Sequence, residues 1–276
     1  MQRIDCHQHF WELERGDYDW LTPELAPIYR DFHPSDLKPI IDAAGIDGTI
    51  IVQAASSVAE TEYMLAIAAE HDWILGVVGW IDMEADDATA TLERLAKNPK
   101  FVGIRSGMEG NPVERWIMRP TLERAIHAMI DLNLPFDCLG KEWHVGLFGE
   151  FLKTYPKLRC VIDHCFKPKI AEGILQPWAD QIADIAENTN TMCKLSGLTT
   201  EAVSEWQTED ITPYVNHVLK SFGPNRILFG SDWPVVNLQS NYPEWISLVD
   251  GWIANYSDGE KAAIMGGNAA KFYLKR

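Results

Sequence analysis

Three of the eight histidines stand where they could act together on a substrate. His7 and His9 come at the end of the first apolar run of the chain, and His164 and Asp232 each follow a later one. Side chains two residues apart on a strand point to the same face, so His7 and His9 can converge on one point. Imidazoles and a carboxylate can transfer protons or hold a divalent ion. The pattern predicts a site of three imidazoles and one carboxylate.

Short apolar runs alternate with helical patterns along the whole chain. The runs are apolar throughout, which is typical of parallel strands buried on both faces. Helix stop signals such as Gly45, Pro156 and Gly223-Pro224 stand where the helical patterns end. The predicted strands are Arg3–Cys6, Thr49–Gln53, Ile74–Val78, Phe101–Ile104, Phe136–Leu139, Arg159–Asp163, Thr191–Leu195 and Ile227–Phe229. The predicted helices lie near Ser35–Ala44, Ala59–His71, Asp86–Lys97, Pro120–Asp131, Val145–Tyr155, Trp178–Asn188, Ile211–Phe222 and Tyr242–Asn255, with a last one from about Asp258.

Eight strand–helix units without a shift in composition predict an α/β fold, a single (β/α)₈ TIM barrel domain over residues 1–276. A doubly wound sheet is the alternative, but it usually has five or six strands and a Gly-rich first turn. Here a long aromatic loop, from Phe10 to His33, follows the first strand instead. The barrel is therefore the better match.

Other polar and aromatic residues also fall at predicted strand ends, where a (β/α)₈ barrel carries its chemistry. Arg105 ends an otherwise apolar strand, which favours a role in substrate binding. Lys194 suits a buried ion pair as well as a substrate contact, and the role of Glu142, beyond strand 5, stays open. The predicted substrate-binding residues are Gln53, Trp80, Arg105 and Lys194, with Trp11 from the aromatic loop.

The composition of the chain indicates which kinds of binding partner and which cellular compartment to expect. A net charge of −16 argues against nucleic acid and anionic membranes, because both repel an acidic surface. The five cysteines form no C-x-x-C pair and are odd in number, which is typical of reduced thiols. The N-terminus has no apolar signal region. We expect a cytoplasmic protein with a small-molecule substrate; the oligomeric state cannot be read from the sequence.

These motifs resemble the amidohydrolase superfamily, and within it the branch of small lactone hydrolases. The resemblance implies that His7 and His9 are the histidines of strand 1, His164 that of strand 6, and Asp232 the aspartate of strand 8. It covers nearly the whole chain. It is carried by Ile4-Asp5-Cys6-His7-Gln8-His9-Phe10-Trp11, Tyr18-Asp19-Trp20-Leu21, Val161-Ile162-Asp163-His164-Cys165-Phe166-Lys167-Pro168, Lys194-Leu195-Ser196-Gly197 and Leu228-Phe229-Gly230-Ser231-Asp232-Trp233-Pro234.

The chain departs from the metal-rich members of that superfamily at two strands. Those members carry a Lys or Glu ligand at the end of strand 4 and a His at the end of strand 5. Here the strands end with Arg105 and around Cys138. We therefore expect at most one divalent ion, zinc by its preference for nitrogen ligands, on His7, His9 and Asp232. Catalysis without a metal is equally compatible with the branch.

The resemblance implies a hydrolase that opens a sugar-acid lactone, such as an L-fucono-, L-rhamnono- or L-galactono-lactone. Asp232 is the predicted base for the attacking water, with the three histidines polarising the carbonyl group. One alternative is a metal-dependent decarboxylase of the same superfamily, acting on an aromatic or unsaturated acid. Another is a carbohydrate-binding barrel without catalysis. The compact chain argues against the first, and an Asp facing three imidazoles argues against the second.

Overall fold

A computed structural model describes residues 2–108 and 115–275 and confirms the barrel. Eight parallel strands pair in the order of the sequence, from β1 to β8. Residues that face the helices form the larger hydrophobic core, and residues that face the barrel axis form a smaller one. The strands are β1 (Ile4–Gln8), β2 (Gly48–Val52), β3 (Ile74–Gly79), β4 (Phe101–Gly107), β5 (Phe136–Leu139), β6 (Cys160–Ile162), β7 (Met192–Leu195) and β8 (Ile227–Phe229).

Helices cover the outside of the strands. None of the helices in the described ranges is long and apolar enough to cross a membrane. Helix α7 begins at Thr208, earlier than the sequence predicts, because the Asp210 side chain accepts a hydrogen bond from the Gln207 backbone at 2.8 Å and so caps its first turn. The helices are α1 (Pro34–Ala43), α2 (Val58–Glu70), α3 (Ala88–Leu95), α4 (Glu123–Asp131), α5 (Val145–Thr154), α6 (Trp178–Asn188), α7 (Thr208–Phe222), α8 (Tyr242–Trp252), α9 (Asp258–Ala262) and α10 (Asn268–Tyr273).

The barrel closes where the chain beyond β8 returns to β1. The Asp232 backbone N–H donates to the carbonyl of His7 at 2.8 Å, and that of His9 donates to the carbonyl of Trp233 at 2.7 Å. Below this seam the buried carboxylate of Asp5 accepts hydrogen bonds from the Ser231 hydroxyl at 2.6 Å and the His7 backbone at 3.1 Å. The seam therefore fixes His7 and Asp232 next to each other.

A bulge in β1 changes which of its side chains face the barrel axis. Asp5 pairs with Thr49 of β2 and Gln8 pairs with Ile51, so three residue steps on β1 match two on β2. Such a bulge redirects the side chains that follow it. Cys6 belongs to the inner core, and His7 still points inward one residue later. In a regular strand adjacent side chains face opposite sides, so Cys6 and His7 could not both face the barrel axis without the bulge.

The C-terminal helix α10 seals the end of the barrel opposite to the carboxyl ends of the strands. Its Asn268 side chain donates to the carbonyl groups of Pro224 and Ile227 at the start of β8, each at 2.8 Å. Ala269 and Tyr273 pack into the inner core, among first residues of the strands such as Ile4. The opposite end is thereby left open for a substrate.

Candidate active site

The four residues predicted to form the site meet at the open end of the barrel. The Asp232 Oδ1 atom lies 3.2 Å from His9 Nε2, 3.7 Å from His7 Nε2 and 3.8 Å from His164 Nε2. All four side chains are at least 94 % buried within the protein. The structure therefore brings the four residues together; their catalytic roles stay a prediction.

Left-handed backbone places two members of this group. Four consecutive residues after β6, His164 to Lys167, have φ between 47° and 57°, and Asp232 has φ 59°. Residues other than glycine enter this region at a cost of about 1–2 kcal/mol each. Such strain persists where the surrounding structure over-determines it, most often at functional sites. Here it turns the His164 and Asp232 side chains towards the barrel axis.

The absence of a side chain at Gly197 leaves space for the neighbouring His164 and Asp232 side chains. Its φ is +63°, and an added Cβ atom would lie 2.5 Å from His164 Nδ1 and 3.2 Å from Asp232 Oδ2. The neighbouring Ser196 hydroxyl lies 2.9 Å from the same Nδ1 atom and orients the His164 ring. Burial lowers the pKa of His164 to about 4, so its imidazole is neutral at pH 7.

The hydrogen bonds of His9 leave a cation site between it and Asp232. His9 Nδ1 lies 2.7 Å from the carbonyl of Val52, which can only accept, so Nδ1 carries a proton. The other ring nitrogen then faces a carboxylate oxygen at 3.2 Å. Two acceptors at this distance need a proton or another cation between them. Burial opposes ionisation of Asp232, but the neighbouring imidazoles of His164, His9 and His7 hold its pKa well below the usual range.

His7 lies directly above a buried lysine. Lys194 Nζ is 2.5 Å from Asp137 Oδ2, 3.0 Å from Asp163 Oδ1 and 3.1 Å from His7 Nδ1. The ammonium group thus forms hydrogen-bond contacts with Asp137 and His7 and an ion pair with Asp163. Burial and the nearby Lys194 charge lower the pKa of His7, so the ring is neutral. Burial opposes the charge of Lys194, yet Asp137 and Asp163 raise its pKa.

Arg105 reaches across the barrel beside His7. Its Nη2 atom donates to the carbonyl of Gln53, and its Nη1 atom lies 3.5 Å from Asp163 Oδ2 and 3.2 Å from His7 Nε2. Its Nε–H is buried and has no partner among the described residues. Arg105 therefore keeps a donor for a bound molecule.

A cavity of about 360 Å³ opens above these groups. Gln53 and Arg105 line it, as predicted, whereas Trp11, Trp80 and Lys194 do not. Trp11 is fully buried behind the cavity and packs edge-on against Trp20 with ring centroids 5.5 Å apart. The residues that line the cavity are His9, Trp20, Gln53, Ala54, Ser56, Arg105, Leu139, His164, Lys167, Asp232 and Val235.

Several residues near the site had no predicted role in it. Trp20 and Lys167 belonged to recognised motifs without an assignment, and Asp137 and Asp163 sit beneath His7. Glu142, whose role was left open, pairs with Lys169 at 3.2 Å and is absent from the cavity lining. A charged residue inside an apolar strand, as in Phe136-Asp137-Cys138-Leu139, was the available signal for Asp137.

The predicted metal ligands are close enough to share one ion. His7, His9 and Asp232 each offer a ligand atom within 4.8 Å of the others. His9 Nε2 and Asp232 Oδ1 suit a cation, because neither carries a proton in the hydrogen-bond pattern above. His7 fits less simply: a ligand Nε2 needs the proton on Nδ1, and that atom lies 3.1 Å from the Lys194 ammonium group. Two of the three candidate ligand atoms, His9 Nε2 and Asp232 Oδ1, therefore suit a metal ion.

Comparison with known proteins agrees with the fold and the motifs. The model of the family described as "Amidohydrolase" matches residues 4–275. The chain is 39% identical over 275 residues to an L-fucono-1,5-lactonase of Burkholderia ambifaria, covering 98% of this chain and 95% of that protein. It is 32% identical over 287 residues to an L-fucono-1,5-lactonase of Burkholderia multivorans, with the same coverage of both.

A solved structure has the same architecture. A crystal structure of an amidohydrolase from Burkholderia multivorans, with bound zinc, superposes with a TM-score of 0.94 at 32% identity and covers all of both chains. The match extends over the strands that carry the histidines and the aspartate. This chain belongs to the amidohydrolase family.

Proposed function

We propose that this protein hydrolyses a sugar-acid lactone to the free acid, with L-fucono-1,5-lactone as the first candidate substrate. The observation that carries the proposal is the Asp232 carboxylate in contact distance of three imidazoles at the floor of an open cavity. Two relatives, at 39% and 32% identity over almost the full chain, bear the name of that activity. The chemistry of the site and the relatives support the same reaction.

Asp232 acts as the base in the proposed reaction. Its low pKa keeps it ionised at pH 7, so it can take a proton from a water molecule in the cavity. The water oxygen then attacks the lactone carbonyl and forms a tetrahedral intermediate. Asp232 returns the proton to the ring oxygen as the carbon–oxygen bond breaks, and the products are the open hydroxy acid and the regenerated carboxylate.

His7 and Arg105 stabilise the negative charge on the carbonyl oxygen. The N–H groups of a fixed imidazole and a fixed guanidinium can donate to an oxyanion without rearrangement. His7 is fully buried, but its Nε2 atom lies 3.7 Å from the Asp232 carboxylate, and Arg105, whose Nε–H has no partner among the described residues, lines the cavity. Removing one such donor costs about 10²–10³-fold in kcat in comparable sites. Arg105 also contributes to substrate affinity.

The cavity walls suit a compact polar ring with one apolar side. Trp20, Leu139 and Val235 present apolar surface, whereas Gln53 and Ser56 offer hydrogen-bonding groups. At about 360 Å³ the cavity is at the lower end of the range for small-molecule sites. A sugar lactone, with hydroxyl groups on its edge and hydrogen atoms on its faces, matches this combination.

A metal ion is not assigned a step in this mechanism. If an ion binds, His9 and Asp232 would hold it, and it would polarise the carbonyl group as a Lewis acid. The hydrogen bond from Lys194 opposes ligation by His7. The residues of this chain can therefore supply a base and oxyanion donors by themselves.

We also propose a cytoplasmic location and a free small molecule as the main partner. The five cysteines are unpaired and buried, in keeping with a reducing compartment. A net charge of −16 disfavours nucleic acid, and it supports a neutral lactone over a dianionic substrate.

A panel of lactones with a pH indicator tests the proposal. L-Fucono-, L-rhamnono- and L-galactono-lactone should release acid with kcat/KM of at least about 10⁴ M⁻¹s⁻¹ for the preferred compound, the lower end for enzymes. Pyrone dicarboxylates serve as the charged comparison. Inactivity against every lactone, together with carbon dioxide release from an aromatic acid, would overturn the proposal in favour of a decarboxylase.

A further inference from the structure

A closed layer of charged side chains lies between the cavity and the inner apolar core. Asp137, Asp163, Lys194 and His7 are each fully buried within the protein. From below, the hydroxyl of Tyr273 on α10 lies 2.8 and 2.9 Å from the two oxygens of Asp137. The proposed mechanism uses only the uppermost member, His7. None of the four residues lines the cavity, but His7 Nε2 lies 3.7 Å from Asp232, which does, so the other three groups act on the reaction through His7.

Two cationic donors approach the two nitrogens of the His7 ring. Lys194 Nζ is 3.1 Å from Nδ1 and Arg105 Nη1 is 3.2 Å from Nε2. A neutral imidazole has one acceptor nitrogen, so only one of these contacts can be a hydrogen bond. Which one it is decides whether Nε2, the atom facing Asp232, is a donor or a lone pair.

The partners of the two cations favour Lys194 as the donor. Its Nζ atom donates to Asp137 Oδ2 and lies 3.1 Å from His7 Nδ1, and the Asp163 carboxylate is an ion-pair partner at 3.0 Å. Arg105 already donates to the carbonyl of Gln53, and its Nη1 atom forms an ion pair with Asp163 Oδ2 at 3.5 Å. If His7 carried its proton on Nδ1, the ammonium group would face an N–H at hydrogen-bond distance.

We propose that Lys194 is a positioning residue that holds His7 in the tautomer protonated on Nε2. This rests on the proposed function insofar as His7 is given a catalytic role. In that tautomer His7 donates to the lactone carbonyl and has no lone pair for a metal ion on Nε2. Asp137 keeps Lys194 in place, and Tyr273 completes the hydrogen bonds of Asp137 from the opposite end of the barrel.

The same contacts predict what the site becomes without Lys194. Asp163 Oδ1 lies 3.6 Å from His7 Nδ1 and is the remaining charged group on that side of the ring. With the lysine gone, this carboxylate accepts the Nδ1 proton, and the lone pair moves to Nε2. His7 then joins His9 and Asp232 as a third metal ligand. With Lys194 present, His7 is therefore a hydrogen-bond donor to the substrate. Without Lys194, His7 becomes the third ligand of a metal site.

Long-range ¹H–¹⁵N NMR of protein labelled on its histidine rings tests the tautomer without any substrate. The His7 signals are assigned by their loss in His7→Asn. In the unmodified protein Nε2 should be protonated and Nδ1 should show the shift of an unprotonated nitrogen. Protonation of Nδ1 instead would overturn the proposal, because Arg105 would then be the donor.

The Lys194→Met variant tests whether the lysine controls the tautomer of His7. The His7 signals should change to those of the Nδ1–H tautomer, and zinc affinity by calorimetry should rise by about 10–100-fold, the usual effect of a group that orients a ligand. Lys153→Met, on an exposed pair with Asp184, is the matched lysine control and should change neither.

Tyr273→Phe controls for general disturbance of the layer. It removes a hydrogen bond from Asp137 but leaves the contacts of Lys194 with Asp137, Asp163 and His7, so the tautomer should stay as in the unmodified protein. An unchanged Nε2–H tautomer in folded Lys194→Met would contradict the assigned role of the lysine. Failure of the lactone assays would leave these results unaffected, so the two proposals fail separately.

Discussion

Replacement of Gly197 by alanine tests whether kcat depends on the position of the His164 ring beside Asp232. The new Cβ atom would lie 2.5 Å from His164 Nδ1 and 2.9 Å from its Cγ atom, whereas ordinary contacts begin at 3.4 Å. The ring must therefore retreat by about 1 Å, which disturbs its 3.8 Å contact with the proposed base Asp232, and a displacement of this size costs about 10²-fold when it moves a catalytic group. The left-handed φ of +63° adds about 1–2 kcal/mol of backbone strain. We expect kcat on the preferred lactone to fall by about 100-fold.

Gly173→Ala is the matched control for this experiment. Gly173 has φ +66°, so alanine is strained there to a similar degree, but no atom lies within 4 Å of the added Cβ. Gly173→Ala should lose only the thermal stability that the backbone strain costs and should keep its kcat, whereas Gly197→Ala should lose more because of the overlap with His164. Circular dichroism establishes that each variant is folded. If folded Gly197→Ala retained kcat within a few-fold of the unmodified protein, the position of His164 would be irrelevant to catalysis and the reasoning would fail.

Three further predictions concern Arg105, metal removal and the cysteines. Arg105→Met should lower kcat by about 10²–10³-fold, because the guanidinium donates to the oxyanion, and should also raise KM, because it binds the substrate; a loss of kcat with unchanged KM would remove its binding role. Dialysis against a chelator should leave kcat unchanged, since Lys194 keeps His7 from ligating; a loss restored by zinc alone would show that a metal is required. The five cysteines, all at most 3% exposed, should react with a thiol reagent only after unfolding, and rapid reaction of the native protein would contradict their burial.

The sequence could predict those parts of the fold that depend on local patterns. Apolar runs and helix stop signals identify all eight strands, and placement at strand ends brings together His7, His9, His164 and Asp232. The predicted ends of the strands were less accurate than their predicted positions in the chain. β1 continues to Gln8, beyond the predicted end at Cys6, because its bulge lets the ladder with β2 resume after the interruption.

Two features of the site lay beyond such reasoning because they depend on non-local packing. The left-handed turn from His164 to Lys167 contains no glycine, asparagine or aspartate, so nothing in its composition indicates positive φ. Tyr273 meets Asp137 across 136 positions of sequence, and only the folded barrel brings α10 under β5. For the same reason Lys194 was interpreted partly as a substrate contact, although its side chain is fully buried.

The most direct test of the account is the turnover of Asp232→Asn on L-fucono-1,5-lactone, or on whichever lactone the panel identifies. The substitution keeps the size of the side chain and much of its hydrogen bonding but removes the base. We predict that kcat falls by about 10²–10⁴-fold, the usual contribution of general acid–base catalysis, with little change in KM. Near-normal kcat in a folded Asp232→Asn protein would contradict the account, since a histidine would then have to activate the water.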